Sequence, residues 1–434
     1  MNNRRNAFRH ACFWVLAIGI CHTPGLQAQM AGISAGVIGQ PISQILVTGN
    51  TRTQRKWVLE WADIHAGDIL TLPKLRRARQ ELLDTDLFRT VNLQAERYEN
   101  GELALRIIIE ERHYWLLLPR LSRNADGDVK VGMRLRAYNM QGADRTLDLL
   151  VQREDQADGD STDEYRLSYK LPLYRSPYDL AWTLKHEIEN NEIDGFANVE
   201  TVDQATMAIS RDIDIDSLSY PLSIIGGVNL VDRDLREPYP DSIVAREAGT
   251  FNQLVVGLNL DDLHSERYRR FGSYYSIAFG RGFEWLGSDY NTNTVEFETI
   301  QMIRLNRYDN FNFRVVLEAS RDSPFDYPAF GIGGGSTIRG LENFDDRGNA
   351  RLFGNFEYIV AYRRHPGVQH SLFVDVGNVY EELHDLDLGD MHYTLGTGFR
   401  WKIEAFVKTD LFLDFGYDFE ADEGKLYGGT SLPF

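Results

Sequence analysis

The chain has 434 residues, with 64 acidic and 46 basic side chains and a formal net charge of −18 at neutral pH. An acidic chain is repelled by the phosphate backbone, so nucleic acid is a poor candidate partner. Both cysteines, Cys12 and Cys21, lie near the N-terminus, which leaves the rest of the chain without thiols for disulfides, metal thiolates or covalent catalysis. After residue 30, no apolar stretch approaches the roughly 18 residues that a membrane-spanning helix needs.

Residues 1–28 have the layout of a secretory signal peptide. Arg4, Arg5 and Arg9 precede an apolar run, and Ala28 closes a small-residue exit. We expect cleavage after Ala28. Because this segment carries three basic and no acidic residues, its removal takes the net charge from −18 to about −21. The alternative, an N-terminal anchor helix, is less favoured because the apolar run is too short for a membrane span.

Residues 40–113 have the pattern of a small α+β domain. Gly49-Asn50 stops the first strand, and Thr51 or Thr53 can cap the helix that follows. The predicted elements, in chain order, are a strand at 42–47, a helix through Trp61, a helix from Leu72, and strands at 88–95 and 103–109. This order predicts two helices on one face of a three-stranded sheet. An edge strand of such a sheet can accept an extended peptide; the alternative is a mere spacer.

From residue 114 to residue 434, the chain is a succession of segments about ten residues long in which apolar and polar residues alternate. Residues 130–137 are an example, with Val131 and Met133 on one face and charges on the other. About 16 such segments can be placed, and their length matches that of tilted strands crossing a bilayer. Closure into a barrel satisfies every backbone polar group. We therefore predict a transmembrane β-barrel of about 16 antiparallel strands.

Two sets of residues fit this prediction. Aromatic side chains near predicted strand ends, as interface girdles require, are Trp115, Tyr178, Trp182, Tyr274, Tyr275 and Trp401. The final strand carries Tyr427, Gly429, Leu432 and Phe434, a pattern that resembles the terminal signal by which barrels are themselves inserted. Pro433 cannot donate to a strand ladder, so the seam between the first and last strands is expected to be weakly paired there.

The long loop between the eleventh and twelfth predicted strands, Pro324 to Gly348, contains a glycine cluster and then Arg339-Gly340. A phosphate-binding loop is excluded by context, because no Gly-Lys-Ser/Thr and no helix follow. On the next two strands, Glu357 and Asp375 occupy faces that point into the lumen if the apolar alternates face lipid. An arginine on an inward-folded loop can then pair with both carboxylates.

Together these motifs resemble those of a known family. Residues 45–50, Gly67-Asp68, 87–91 and 109–111, taken in order, are similar to a periplasmic POTRA domain. Three further segments, 338–340, 354–357 and 373–379, closely resemble the BamA and TamA superfamily of outer-membrane assembly factors, and the similarity covers residues 42–434. In that family the loop arginine locks to lumenal acidic residues, a role that the resemblance implies for Arg339, Gly340, Glu357 and Asp375.

The resemblance implies an outer-membrane factor of a Gram-negative bacterium that inserts or transports polypeptides. Its partners would be client polypeptides, outer-membrane lipid and a periplasmic or inner-membrane protein bound through the POTRA domain. Two features depart from the family pattern: Leu341 stands where the family favours an aromatic residue, and one POTRA domain stands where several are usual. The alternative is a dedicated two-partner-type secretion pore or a solute or lipid channel. No lipase, protease or metal motif is present, so no enzyme activity, metal or cofactor is expected.

Overall fold

The structure is a computed structural model that describes residues 35–98, 101–123, 129–156, 159–213, 215, 222–266, 268–341, 346–406 and 410–429. The predicted signal peptide, residues 1–28, lies outside the described residues, as do Leu432, Pro433 and Phe434 of the predicted last strand. Among the helices of the described ranges, none is long and apolar enough to cross a membrane.

The N-terminal domain is an α+β unit that follows a 3₁₀ turn at Ala35–Val37. Its elements are β1 (Gln44–Thr48), α1 (Arg55–Ala62), α2 (Leu72–Asp84), β2 (Phe88–Arg97) and β3 (Leu103–Glu111). The sheet order is β1-β3-β2, with β1 parallel and β2 antiparallel to the central β3. Leu75, Ala78 and Leu82 recur at helical spacing on α2 and are all buried in the core between helices and sheet. The predicted two helices and three strands are confirmed.

The helix caps differ in part from the prediction. Thr71 caps α2 by accepting from the backbone N–H of Lys74 at 3.3 Å, but α1 begins after Gln54, which makes no side-chain cap bond. The hydroxyls of Thr51 and Thr53 instead donate to Glu111 at the end of β3. The expected cap residues therefore join α1 to the sheet rather than terminating the helix.

The rest of the described chain is a closed barrel. Its sixteen long strands are β4 (Trp115–Arg123), β5 (Val129–Met140), β6 (Arg145–Asp155), β7 (Ser161–Pro172), β8 (Tyr178–Ile193), β9 (Phe196–Ile213), β10 (Leu222–Leu235), β11 (Gly249–Asp261), β13 (Arg270–Gly282), β14 (Asn293–Arg304), β15 (Asp309–Arg321), β18 (Ala350–Tyr362), β19 (His365–Tyr380), β20 (His392–Lys402), β21 (Asp410–Asp418) and β22 (Glu423–Gly429). Two-residue strands lie in the connections: β12 (His264–Ser265), β16 (Phe330–Gly331) and β17 (Arg347–Gly348). Neighbours along the chain pair antiparallel, and β22 lies beside β4. The predicted strand number is confirmed.

The barrel is apolar outside and polar inside, as strand alternation requires. Outward residues such as Leu117, Met207 and Val256 are 59%, 63% and 60% exposed, although they are apolar. Lumenal charges such as Asp375 and Asp414 are fully buried. An exposed apolar belt around a closed sheet is the surface that lipid demands, so this is a transmembrane barrel.

The girdle prediction is wrong for Tyr274. Tyr275 and Phe279 are the exposed residues of β13, and alternation therefore turns Tyr274 toward the lumen. Trp115 and Trp401, in contrast, are exposed on the outer surface. The error arose because adjacent tyrosines in one strand must face opposite sides, and the sequence does not show which of the two is outside.

The N-terminal domain contacts one end of the barrel, here called the near rim, at three turns. The backbone N–H of Gln54 donates to the carbonyl of Gly142 in the β5–β6 turn at 3.0 Å. The N–H of His113 donates to the carbonyl of Ala405 in the β20–β21 turn at 2.8 Å. These two turns lie on opposite sides of the junction between β4 and β22.

The third contact lies across the mouth, at β12 between β11 and β13. Asp84 at the end of α2 accepts from the backbone N–H of Ser265 at 2.6 Å and bonds His264 Nδ1 at 2.8 Å. Gln80 donates to the carbonyl of Ser265 at 3.1 Å. Because β11 and β13 lie half-way round the ring from β4 and β22, the domain spans the near-rim opening.

Candidate functional site

The connection between β15 and β18 leaves the far rim, opposite the N-terminal domain, and re-enters the lumen. Arg339, near its tip, is only 1% exposed. Three of its contacts go to Asp375 of β19: the backbone N–H donates at 3.0 Å, Nε at 2.8 Å and one Nη at 2.8 Å. The guanidinium carbon lies 3.5 Å from the ring centroid of Phe373, two residues earlier on the same face. The planar cation is thus held edge-on by a carboxylate and face-on by an aromatic ring.

The other Nη of Arg339 binds carboxylates on two more strands. It donates to Glu357 of β18 and to Asp414 of β21, the latter at 2.9 Å. A second arginine, Arg400 of β20, donates to Glu357 at 2.9 Å and to both oxygens of Asp414. We call these five side chains the lock network; they connect the loop to four consecutive strands.

The lock network is buried and almost charge-balanced. Two arginines face three carboxylates, and none of the five residues is more than 3% exposed. Removing one partner from such a buried set strands an uncompensated charge and destabilises by about 3–5 kcal/mol, whereas the intact set adds little net stability over apolar packing. The lock network therefore acts mainly by holding the loop in one position.

Glycines on β20 and β21 provide the space that the loop and the lock network occupy. A Cβ at Gly416 would stand 2.5 Å from the carbonyl oxygen of Arg339, and a Cβ at Gly398 would stand 3.0 Å from an Nη of Arg400. Gly340 has φ of +112°, which a side chain would strain, and its own Cβ would meet the β21 backbone at 3.2 Å. The loop backbone at Arg339 and Gly340 therefore lies directly against the β21 backbone at Gly416.

Local bonds give the loop its turn. The hydroxyl of Thr337 donates to the carbonyl of Gly333 at 2.7 Å and accepts from its N–H at 2.9 Å. Asn355 of β18 donates to the carbonyl of Thr337 at 2.6 Å. Ile338 is fully buried in an apolar cluster with Ile332 and residues of the wall. These contacts fix the turn at the tip without any contribution from the Arg339 side chain.

The last described strand also holds the loop. The backbone N–H of Gly340 donates to the hydroxyl oxygen of Tyr427 on β22 at 3.1 Å, and that hydroxyl lies 3.4 Å from the carbonyl of Leu341. Gly335 packs on the tyrosine ring, where a Cβ would stand 3.2 Å away. Tyr427, singled out in the sequence as part of a terminal signal, is therefore also a lumenal contact of the loop.

The structure brings Arg339, Glu357 and Asp375 into direct contact, with Gly340 beside them. It also adds Arg400 and Asp414, which the sequence reasoning missed. Both sit among lumen-facing glycines, in Gly396-x-Gly398-x-Arg400 and Asp414-x-Gly416. Charges alternating with glycine on adjacent strands were the signal that could have revealed them.

Two hollows differ in location. A groove of about 690 Å³ follows β6 to β11 and includes outward residues such as Val151, Tyr165 and Leu230, so it is a depression in the lipid-facing surface. A cavity of about 380 Å³ lies inside, between the lock network and the N-terminal domain. In the ranges that the structure describes, no group of three or more His, Cys, Asp or Glu side chains could hold a metal ion.

Comparison with known proteins gives one sequence relative. No protein-family model matches the chain. The outer membrane protein assembly factor BamA of Nitratidesulfovibrio vulgaris is 23% identical over 406 residues, which cover 88% of this chain and 49% of that protein. The chain thus spans about half the length of this curated relative.

Solved structures share the fold. BamA from Haemophilus ducreyi lacking POTRA domains 1–3 superposes with a TM-score of 0.54 at 17% identity, covering 90% of this chain and 84% of that one. CdiB from Acinetobacter baumannii gives 0.60 at 15% identity, covering 90% and 73%. CdiB from Escherichia coli gives 0.61 at 13%, covering 90% and 76%. The chain is thus similar in sequence to the assembly factor BamA and shares the barrel fold of BamA and CdiB.

Proposed function

We propose that the protein inserts or transports polypeptides at the outer membrane, with its N-terminal domain acting as a POTRA domain in the periplasm. The lock network carries this proposal, since it seats the loop of the assembly-factor family inside the lumen through Arg339. The sequence match to an assembly factor over 406 residues supports it. The proposed function is not enzymatic.

The N-terminal sheet offers a place for clients or a partner protein to dock. β2 is an edge of the order β1-β3-β2, so one side of its ten-residue backbone has no neighbouring strand in the described domain. An extended peptide can add to such an edge through main-chain bonds with little demand on sequence. Docking at β2 would place a client beside the near rim of the barrel.

The junction between β4 and β22 is the proposed place of client entry into the wall. Among the described residues, β22 pairs with β21 from Glu423 to Gly429, and its other side faces β4. β4 contains Pro119, which has no N–H to donate and which strands tolerate mainly at edges. A client strand could pair there while its apolar face enters lipid. Because folding in lipid is itself favourable, no external energy source is required.

The experiment that tests the function is depletion of the protein in its native host, followed by quantitative proteomics of the outer-membrane, periplasmic and secreted fractions. A fall in several unrelated barrels is the expected result for an insertion factor. Loss of one secreted protein alone would indicate the alternative, a dedicated secretion pore. An unchanged proteome would contradict both polypeptide functions and leave the solute or lipid channel.

A further inference from the structure

A group of cations and tyrosines lies on the outer surface of the near rim. Lys56 of α1 and Arg175 of the β7–β8 turn both lie over the ring of Tyr174, at 4.7 Å and 5.5 Å from its centroid. Arg211 of β9 pairs across the ladder with Tyr178 of β8 and lies 5.4 Å from its ring centroid. All three cations are exposed, and both tyrosines are half-buried. We call these five residues the rim patch.

The rim patch spans the N-terminal domain and the barrel. The carbonyl of Pro177 in the β7–β8 turn accepts from the backbone N–H of Asp212 at 3.1 Å, which fixes the turn against β9. On the other side of the turn, the ring of Tyr174 packs edge-on against Trp57 of α1, with centroids 5.1 Å apart, and Trp57 is buried. This is a further contact of the domain with the barrel, and it places Lys56 beside the turn.

The rim patch lies where the lipid-facing surface ends. On β9, the outward residues Met207 and Ile209 are 63% and 44% exposed, and Arg211 is the next outward residue toward the near rim. On β8, Tyr178 precedes Leu180 on the outward face. Tyrosines and long cationic side chains at the end of an apolar belt lie at the level of the lipid headgroups. The rim patch therefore faces the headgroup layer.

The acidic residues next to the rim patch in sequence point away from it. Asp179 and Asp212 alternate with Tyr178 and Arg211, so they lie on the lumenal face, where Asp179 pairs with Lys170 at 3.1 Å. Among the described residues, the three cations of the rim patch form no ion pair within 4.0 Å. Alternation thus places acidic groups inside and cations outside.

The positive charge of the rim patch is local. Glu60, one turn after Lys56 on α1, is exposed and lies beyond 4.0 Å of its ammonium group, and even with Glu60 counted the patch keeps an excess of positive charge. Acidic residues far outnumber basic ones in the connections of the far rim, whereas the two are nearly equal in number at the near rim. An anionic partner therefore fits the near rim and not the far rim.

We propose that the rim patch binds the phosphate of an anionic phospholipid in the leaflet nearest the N-terminal domain. Arg175 and Arg211 supply guanidinium forks that match phosphate oxygens, and Lys56 supplies a point charge. The acyl chains lie along the outward faces of Leu180 and Ile209. A zwitterionic headgroup carries its own cation and gains less, and free phosphate has no chains to pack on the apolar surface. The inference goes beyond the proposed function and holds whichever polypeptide the protein handles.

A lipid bound in this way joins two parts of the molecule. Lys56 belongs to the N-terminal domain and Arg211 to the barrel wall. A headgroup that contacts both cations links α1 to β9 through the membrane surface. The N-terminal domain is therefore expected to be held more firmly in a membrane that contains anionic lipid than in one that does not.

Native mass spectrometry of the full mature protein, released from detergent micelles, tests the site. The probes are dioleoylphosphatidylglycerol and dioleoylphosphatidylcholine, which share their acyl chains and differ in headgroup charge. We expect the first phosphatidylglycerol to bind about tenfold more tightly than the first phosphatidylcholine. The gap should narrow as ammonium acetate is raised, because exposed charges are screened.

Two triple variants separate the rim patch from a general charge effect. The test variant should lose the preference for phosphatidylglycerol; its substitutions are Lys56→Gln, Arg175→Gln and Arg211→Gln. The matched control removes three exposed cations of the far rim and should behave as wild type; its substitutions are Arg236→Gln, Arg281→Gln and Arg321→Gln. Heat-modifiable migration on gels checks folding, and if the test variant does not fold, Lys56→Gln alone and the salt series decide.

Amide hydrogen exchange of α1 measures the link between domain and barrel. In nanodiscs, protection of α1 should be higher in equal parts of the two lipids than in phosphatidylcholine alone, and Lys56→Gln should remove this difference. Equal protection of wild-type α1 in the two kinds of nanodisc would contradict the link.

Equal binding of the two lipids by wild type, or a preserved preference in the test variant, overturns the inference. Loss of the preference in the far-rim control would also overturn it, because the preference would then follow total charge. Displacement of phosphatidylglycerol by ammonium glycerol phosphate at the same concentration would make the rim patch a site for soluble anions and overturn the lipid assignment. The depletion experiment tests the proposed function separately, so either proposal can fail without the other.

Discussion

Arg339 pairs with three carboxylates, and its loss leaves Asp375 without a cation while Glu357 and Asp414 keep Arg400 as their one partner. We predict that Arg339→Ala leaves a folded barrel that melts at a lower temperature. A buried carboxylate without its cation destabilises the folded state by about 3–5 kcal/mol. Heat-modifiable migration on gels measures this. Lys185→Ala is the control, since that lysine pairs with Glu187 of the same strand, β8, and its side chain is 28% exposed. Unchanged melting temperature and yield for Arg339→Ala would disprove the lock.

A substitution at Gly416 tests whether the loop backbone needs a position without a side chain on β21. A Cβ there would stand 2.5 Å from the carbonyl oxygen of Arg339, so Gly416→Ala should push the loop off β21 and lower the melting temperature. Gly428→Ala is the matched control, because its Cβ would meet atoms no nearer than 3.5 Å. Equal melting of the two variants would contradict close seating of the loop.

The sequence predicted those residues of the lock network that lie on the loop and on the two strands directly after it. Arg339, Glu357 and Asp375 lie on a loop and the next two strands, so alternation alone placed the carboxylates inside. Arg400 and Asp414 lie on later strands, and the contact of Asp414 with Arg339 depends on how far the loop reaches across the lumen. The distance that the loop extends across the lumen depends on how the loop folds, and no local sequence pattern predicts it.

Among the elements, α2 and β12 form a histidine contact that depends on pH. The hydrogen bond to Asp84 raises the pKa of His264 above its ordinary value, and partial burial opposes the rise; Asp262 and Glu81 add negative charge. Since the pKa is higher in the docked state, docking gains most below the ordinary pKa and loses this gain as pH rises through the raised one. The N-terminal domain should therefore dock less firmly in alkaline buffer.

Amide hydrogen exchange of α2, corrected for intrinsic rates, measures that docking. Protection in the wild type should fall between about pH 6 and about pH 9, whereas His264→Gln should show a smaller dependence. Gln80 provides a contact at the same place without a titrating group, so Gln80→Ala should lower protection equally at both pH values. The same pH dependence in wild type and His264→Gln would refute the histidine contact.

The long elements were predictable because a strand that faces lipid and water must alternate along its whole length. The short ones were not. β12, β16 and β17 have two residues each, and the parallel pairing of β1 with β3 joins segments more than fifty residues apart. Such pairings depend on the packing of α1 and α2 between them rather than on any repeat in the chain.

For the whole molecule, the loop enters the lumen from the far rim and its tip is buried against the wall. We predict low conductance for the wild type in planar bilayers and a higher one when residues 332–340 are replaced by a Gly-Ser linker, because the tip and the lock network then leave the lumen. Replacing residues 285–290 of the β13–β14 connection by the same linker is the control. Equal conductance of the three proteins would show that the tip does not occlude the lumen. A cation preference, expected from the acidic surplus, is checked in the same recordings by reversal potentials.

A closed sheet resists widening because each strand is bonded to both neighbours, and it opens most easily at the joint between its first and last strands. The joint here lies between β4 and β22, and the N-terminal domain is bonded to turns on both sides of it, through Gln54 and His113. Those bonds act at the near rim alone. Any parting of the joint should therefore begin at the opposite end and proceed as a wedge, narrow where the domain is attached and wide where it is not.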